Sequence, residues 1–165
     1  MRRVFYSFHF QADFWRTHQV RNIGALEGQP LCHANEWEEI KRKGDAAIEK
    51  WIHDSMYGRS CVVVLVGAQT SSRPWVTYEI KKGWTDGKGV LAVRIDKLLG
   101  TDSLPSIPGP NPLSNLTFQN KTVSLSDVAP LKTPAGADSK AAYASIAGNI
   151  DTWIEEAISI RKNWK

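Results

Sequence analysis

The feature that most limits the possible folds of this chain is a run of six apolar residues at 61–66, CVVVLV, which Gly67 ends. β-Branched residues favour strands, and a run without polar alternation is typical of a strand that is covered on both faces. Residues 89–95, GVLAVRI, repeat this pattern, and residues 4–10, VFYSFHF, carry aromatic and β-favouring residues on both alternating faces. The sequence therefore predicts a first strand at 4–10 and two central parallel strands at 61–66 and 89–95.

Amphipathic helices are predicted between and after these strands. Asp45 is the candidate N-cap of the first helix, and the second follows residues 71–73, where a serine is the candidate cap and Pro74 suits the first turn. Their apolar stripes are Ile48, Trp51, Ile52 and Met56 in the first helix, and Val76, Ile80 and Trp84 in the second. A third helix is predicted at 139–162, because its apolar residues keep a helical period. Strands that alternate with helices predict a parallel α/β sheet.

The length of 165 residues, of which 42% are hydrophobic, suits one compact domain. We predict a single domain over residues 1–165, built as one three-layer parallel sheet with flanking helices. Residues 97–138 differ in composition, because they are rich in proline, glycine, serine and asparagine, and we expect mostly loop there with a short strand at 121–125. The helix at 139–162 is expected to close the fold.

Composition also limits the expected location and ligands. No apolar run approaches the roughly 18 residues that span a bilayer, and the amino-terminal segment turns polar too soon for a secretory signal, so we expect a soluble cytoplasmic protein. Two cysteines cannot form a disulfide framework, which fits a reducing compartment. The net charge of +4 is not focused in a basic stripe, which argues against nucleic-acid binding. No metal is predicted, because the four histidines lack zinc-site spacing: His9, His18, His33 and His53.

Parallel α/β proteins bind ligands beyond the carboxyl ends of their strands, yet several common signatures of such sites are missing here. Residues 7–12 contain no glycine-rich dinucleotide fingerprint, and the chain has no P-loop motif. The strand at 61–66 is not followed by the aspartate of a phosphoacceptor receiver, and there is no G-x-S-x-G elbow. These absences disfavour hydride transfer, P-loop hydrolysis, receiver phosphorylation and serine hydrolysis.

Several separated motifs occur in the order that a known family shows. They are RVFYSFH at 3–9, WEE at 37–39, GDAAI at 44–48, VLVG at 64–67, SRPWVTYEI at 72–80 and GPNP at 109–112. With these motifs the chain resembles TIR-like proteins of flavodoxin-like fold, a family that includes the sensor proteins of the Thoeris antiphage system. The resemblance covers residues 2–113.

The resemblance implies an activity and a set of site residues. In this family the glutamate of the W-V-x-Y-E-I helix is the expected catalytic residue, which corresponds to Glu79, and Ser7, Phe8 and His9 are expected to border the nucleotide pocket. The expected reaction consumes NAD⁺ as substrate, without a further cofactor, and makes a cyclic ADP-ribose-type messenger on infection. The expected partners are a second copy through TIR-type self-assembly, a phage-derived trigger, and a separate effector that the messenger activates.

The residues themselves suit cleavage of the bond between nicotinamide and ribose. The reaction passes through an oxocarbenium-like ribose that a carboxylate stabilises, and nicotinamide leaves as a neutral base, so the second carboxylate of a glycosidase is not needed. Glu79 lies about 100° from the centre of its helix's apolar stripe, and Trp75, one turn earlier, is a candidate to shape the pocket or stack on a substrate ring. The alternative for Glu79 is an ion pair with Lys82 on a solvated face.

The other candidate ligands each have a structural alternative. Phe8 is a candidate to stack on a ring of the substrate or to join the core. His9 is a candidate to donate to a phosphate or a ribose hydroxyl, or to serve the fold. Ser7 is a candidate to bond the ligand or simply to permit close packing. Ser71 is a candidate ligand or helix cap, and Asn111, which two prolines flank, is a candidate ligand or turn residue.

Two functions stay open at this point. The first is an NAD⁺-consuming enzyme, either a glycohydrolase that releases ADP-ribose or a cyclase. The second is a non-catalytic TIR-like module that binds proteins or a nucleotide, for which Glu79→Gln would leave function intact. Residues 35–37 are a candidate loop over the pocket or a candidate assembly surface.

Overall fold

A computed structural model describes residues 2–24, 26–30 and 34–164, and its centre is a five-stranded parallel sheet. The strands of this sheet are β1 Arg2–Ser7, β2 Leu26–Glu27, β3 Cys61–Val66, β4 Gly89–Arg94 and β7 Leu131–Lys132. Their spatial order is β2-β1-β3-β4-β7, which is the order of flavodoxin-like sheets. Two further short strands, β5 Thr117–Phe118 and β6 Val123–Ser124, form a separate antiparallel pair. The predicted α/β fold is confirmed.

Helices cover both faces of this sheet, which explains why its central strands carry so few polar residues. The helices are α1 Phe10–Arg21, α2 Ala34–Arg42, α3 Asp45–Met56, α4 Pro74–Thr85 and α5 Ser139–Asn163. Every residue of β3 is inaccessible to solvent, and β3 pairs with β4 along its whole length. The predicted strands at 61–66 and 89–95 are confirmed, except that the second ends one residue earlier, at Arg94.

Alternating side chains of the strands divide the core into two halves, because consecutive strand residues point to opposite faces. Odd-numbered residues of β3 pack against α5, and even-numbered residues pack against α3 and α4. The α5 members of the first half are Ala142, Ile146, Ile150, Ile154 and Ala157. The α3 and α4 members of the second half are Ile48, Ile52, Met56, Val76 and Ile80. Among the helices of the described residues, none has both the length and the apolar character needed to cross a membrane.

The first strand is shorter than predicted. It ends at Ser7, and α1 begins at Phe10, so the prediction of a strand over residues 4–10 is wrong for its last three residues. The sequence does not predict α1, because the buried face of this helix is mostly polar and lacks an apolar stripe. The buried residues of α1 are Asp13, Arg16, Thr17 and Val20.

The helix caps also differ from the predicted ones. Gly44, with a φ of 93°, is the N-cap of α3, and Asp45 is the first residue of the helix. Arg73 is the N-cap of α4, with Pro74 at the start of the helix, so the prediction of a serine cap is wrong. The Ser72 hydroxyl donates instead to a backbone carbonyl oxygen three residues earlier, at 2.8 Å. As a result, α4 begins without a side-chain cap.

Residues 97–138 are packed onto the domain, although few of them belong to long elements. Leu113 and Leu125 are buried in the half of the core that contains α3 and α4, and β7 adds the fifth strand beside β4. The strand predicted at 121–125 is observed as β6, which is shorter. The sequence does not predict β7, because a two-residue strand carries too little pattern to be detected.

Candidate functional site

A cavity of about 260 Å³ opens beyond the carboxyl end of β1. Its wall contains residues 8–11, at the amino end of α1, and residues 73–76, at the amino end of α4. α2 contributes Trp37 and Lys41, and α3 contributes Trp51. This is the edge of the sheet at which parallel α/β proteins bind ligands.

Among the described residues, Glu79 provides the one acidic side chain in the wall of this cavity. It is carried by α4 and is only 9% exposed. The predicted alternative, an ion pair with Lys82, is wrong, because the Lys82 ammonium lies 2.8 Å from Asp86 Oδ2 instead. No cation of the described residues forms a salt bridge with Glu79. Burial raises the pKa of Glu79 to about 8, since the charged form loses its hydration.

Ser7 lies next to Glu79 as the last residue of β1 and is inaccessible to solvent. A hydrogen bond from the Ser7 hydroxyl to the Glu79 carboxyl group lowers the pKa of Glu79 and so offsets part of the effect of burial. The contact is loose, because within the described residues Ser7 Oγ completes no hydrogen bond of normal geometry. Ser7 is not part of the cavity wall, so its position suits orientation of the Glu79 carboxyl group and not direct contact with a ligand.

His9 and Phe8 form the part of the wall between β1 and α1. His9 is the N-cap of α1 and is 9% exposed, and its Nδ1 has no hydrogen-bond partner among the described residues. Burial, and then the positive charge of Arg73, lower the pKa of His9, which favours its neutral imidazole. Phe8 stacks on Phe10 with the ring centroids 6.1 Å apart and also packs against the core. Because it also lines the cavity, it combines the two predicted alternatives, a residue of the core and a residue that can stack on the substrate.

Aromatic rings make up much of the remaining wall. Trp75 lies one helical turn before Glu79 and meets Tyr78 edge-to-face, with the ring centroids 5.3 Å apart. Trp37 of α2 and Trp51 of α3 meet edge-to-face as well, at 5.7 Å. Walls of this kind suit flat rings and sugar faces, while a few polar groups fix the orientation of a ligand.

Two further predicted ligands, besides Ser7, lie outside the cavity wall. The carbonyl oxygen of Ser71 accepts a hydrogen bond from Asn115 Nδ2 at 2.6 Å. Asn111 Oδ1 accepts a hydrogen bond from the backbone N–H of Leu113 at 3.0 Å and so caps a short 3₁₀ helix at 112–115. The structure therefore gives both residues contacts within the fold and does not bring either of them to the cavity.

Four polar residues of the wall are absent from the sequence prediction: Gln11, Gln29, Lys41 and Arg73. The side-chain amide of Gln29 bonds to both the backbone N–H and the carbonyl oxygen of Tyr6, each at 2.8 Å, so it replaces a neighbouring strand where β2 has ended. Residues 35–37 lie in a helix, not in a loop, yet Trp37 reaches the cavity as expected. Trp37 and Lys41 are four residues apart, and this helical spacing is the signal that could have linked them.

The described residues contain no group of three or more His, Cys, Asp or Glu side chains placed to hold a metal ion. His33, which entered the metal prediction, lies outside the described residues. A second cavity, of about 240 Å³, lies beyond the carboxyl end of β4 and is lined mainly by apolar atoms. It carries fewer polar groups suited to binding than the cavity at Glu79.

Similarity to known proteins covers the part of the chain that forms the cavity. Residues 5–99 match the family described as "Thoeris protein ThsB, TIR-like domain". A protein of Bacillus cereus (strain MSX-D12), named "Putative cyclic ADP-D-ribose synthase ThsB1", is 33% identical over 124 residues. That alignment covers 72% of this chain and 64% of the relative. Because the family match extends over more than half of the chain and includes every residue of the cavity wall, the chain belongs to the TIR-like family of Thoeris ThsB proteins.

Proposed function

We propose that this protein cleaves the bond between nicotinamide and ribose in NAD⁺, with Glu79 as the catalytic carboxylate. The observation that carries the proposal is a buried glutamate, without a salt-bridge partner among the described residues, in an aromatic-walled cavity at the carboxyl edge of the sheet. The name of the Bacillus cereus relative refers to the synthesis of cyclic ADP-D-ribose, which supports the same class of substrate.

The chemistry needs one carboxylate. The bond between ribose C1′ and the ring nitrogen of nicotinamide breaks, and its electron pair stays on that nitrogen, which loses its positive charge. The ribose is left as an oxocarbenium cation, and the ionised Glu79 carboxylate stabilises it. The leaving group takes up no proton, so a general acid is not required. A cationic substrate in the cavity also favours the ionised form of Glu79, despite its raised pKa.

The nucleophile that captures C1′ decides the product. Water gives ADP-ribose and releases a proton, whereas a hydroxyl group of the same molecule closes a ring and also releases a proton. The indole rings of Trp37, Trp51 and Trp75 make part of the wall apolar, and an apolar wall that limits the access of water would support ring closure. We therefore propose a cyclic ADP-ribose-type product.

The biological part of the proposal follows from the family. The product would act as a soluble messenger in antiphage defence and would activate a separate effector protein. A phage-derived trigger and self-assembly through the TIR-like domain would switch the activity on.

The test measures the release of nicotinamide by chromatography after incubation of the pure protein with NAD⁺. We expect Glu79→Gln to lower the rate by about 100-fold or more, because it removes the charge that stabilises the transition state. The matched control is Glu49→Gln, which changes an exposed glutamate on α3 and should keep the wild-type rate.

The outcomes separate the parts of the proposal. Equal release by the wild-type protein and by Glu79→Gln would contradict the role of Glu79. Formation of ADP-ribose without a cyclic product would contradict ring closure but not cleavage. If the wild-type protein stays inactive at high concentration and in extracts of infected cells, the chain is a non-catalytic module.

A further inference from the structure

The cavity wall also carries positive charge, which the chemistry proposed for Glu79 does not use. Lys41 and Arg73 are the two positively charged side chains of the wall within the described chain. The Lys41 ammonium is paired with Glu38 Oε1 at 2.9 Å. Arg73 has no acidic partner in the same part of the chain, since its Nη2 donates to the neutral side-chain amide of Gln69 at 3.1 Å. Its Nε is buried and has no hydrogen-bond partner there.

His9 lies close to this guanidinium group. The charge of Arg73 contributes to the lowered pKa of His9, which requires the two side chains to be near each other. His9 is nine-tenths buried, and its Nδ1 also lacks a hydrogen-bond partner among the described residues. Buried polar atoms in native proteins nearly always have partners, so two unpaired nitrogens in the wall of one cavity indicate a ligand that accepts hydrogen bonds.

Two helices begin at the same place. His9 is the N-cap of α1 and Arg73 is the N-cap of α4, and no side chain caps either helix. Each helix has 12 residues, so each amino end carries unpaired backbone N–H groups and the positive end of a helix dipole. The planar fork of the Arg73 guanidinium matches the oxygen atoms of a phosphate group.

We propose that Arg73 and His9, together with the amino ends of α1 and α4, bind the diphosphate of a dinucleotide substrate. This inference rests on the proposed function, because it names the part of NAD⁺ that is held away from the reacting bond. Arg73 and Glu79 are six residues apart, which is about 9 Å along a helix axis. In NAD⁺ the ribose ring and its 5′ carbon separate C1′ from the nearest phosphate, so one molecule reaches both groups. Its cationic end meets the carboxylate, and its anionic end meets the guanidinium group.

The first test compares NAD⁺ with nicotinamide riboside, which has the reacting bond but no phosphate. Arg73→Gln is expected to raise the KM for NAD⁺ by about 10- to 100-fold with little change in kcat, and to leave kcat/KM for nicotinamide riboside unchanged. Arg73→Lys should restore part of the loss, because lysine keeps the charge but not the planar fork. The control is Arg42→Gln, which changes an exposed arginine on α2 and should change neither substrate's kinetics. Equal losses for both substrates would overturn the proposal.

A second test does not depend on turnover. ADP-ribose is titrated by calorimetry into Glu79→Gln protein with and without Arg73→Gln, after near-UV circular dichroism has shown that both are folded. We expect Arg73→Gln to weaken binding by about 10- to 100-fold. If Arg73→Gln does not fold, Arg73→Lys takes its place and should weaken binding by a smaller factor.

The results of the two tests distinguish this proposal from the proposed function. Equal affinity for ADP-ribose with and without the Arg73 change would overturn the diphosphate site even if NAD⁺ is cleaved. Failure of ADP-ribose to bind the protein with Arg73 intact would overturn it as well. Weaker binding caused by Arg73→Gln in a protein that never cleaves NAD⁺ would support the diphosphate site and contradict the proposed function.

Discussion

The burial of the Glu79 carboxyl group has an energetic cost that depends on pH. An exposed glutamate ionises near pH 4.5, whereas burial raises the pKa of Glu79 to about 8 in the folded protein. Between these values the folded chain holds a proton that the unfolded chain has lost. The free energy of unfolding therefore falls as the pH rises from about 4.5 to about 8.

Glu79→Gln should remove this pH-dependent cost, because glutamine is neutral in both states. We expect the variant to be more stable than the wild-type protein by roughly 4 kcal/mol at pH 8, and by less than about 1 kcal/mol near pH 5. Urea unfolding over this pH range measures the difference, and Glu49→Gln is the exposed control, which should follow the wild-type curve. Parallel curves for the wild-type protein and Glu79→Gln would mean that the carboxyl group is not desolvated.

The same pKa predicts the pH dependence of the proposed reaction. The free enzyme must lose the Glu79 proton before it can stabilise the ribosyl cation, so kcat/KM for NAD⁺ should rise with pH and level off above about 8. In the complex, the positive charge of the nicotinamide ring favours the carboxylate, so the rise in kcat should occur at lower pH. Initial rates of nicotinamide release over this range provide the measurement. A kcat/KM that falls through the same range would contradict an ionised Glu79 in the reaction.

The two helices α4 and α5 each contain one glycine, and the surroundings of these glycines differ. A methyl group on Gly83 of α4 would lie 2.4 Å from Val62 Cγ2, so the absence of a side chain lets α4 approach β3 closely. A methyl group on Gly148 of α5 would have no neighbour within 4 Å. The first glycine is required by packing, whereas the second only lowers the stability of its helix.

Opposite effects are therefore expected from the same substitution. Gly148→Ala should stabilise the protein by about 0.5–1 kcal/mol, because alanine restricts the unfolded chain and favours the helix. Gly83→Ala should destabilise it by about 1–3 kcal/mol, because the added methyl group overpacks the contact with β3. Denaturant unfolding at a single pH measures both effects, and a change of the same sign in the two variants would contradict this account.

The segment 97–138 belongs to the folded body of the molecule, and its leucines provide a way to test this. Leu125 is 1% exposed and lies in the core beside α3 and α4, whereas Leu104 is 58% exposed. Leu125→Ala should lower the free energy of unfolding by about 2–5 kcal/mol, because it opens a cavity. Leu104→Ala, the matched control, should change it by less than about 0.5 kcal/mol. Equally small effects in urea unfolding would show that the segment contributes little to the core.

Elements with a strong local pattern could be predicted from the sequence, and elements that depend on distant partners could not. β3 and α5 are recognisable because their apolar residues recur with the period of the element itself. α1 is not recognisable, because the contacts that bury Arg16 come from residues far away in the sequence. Its guanidinium group donates to the carbonyl oxygens of Leu98 at 2.8 Å and Leu104 at 3.0 Å. No periodic pattern within α1 carries that information.

The sequence by itself determined a parallel α/β sheet, the helix that carries Trp75 and Glu79 one turn apart, and a family resemblance that singles out Glu79. Only the tertiary structure decided that Glu79 is buried without a salt-bridge partner among the described residues, and that Arg73 lies beside His9 in the same wall. It also placed Ser71 and Asn111 outside the cavity wall. The physical reason is that spacing along a chain sets which residues share a face of one element. Burial, charge and pKa depend on side chains that other elements bring near.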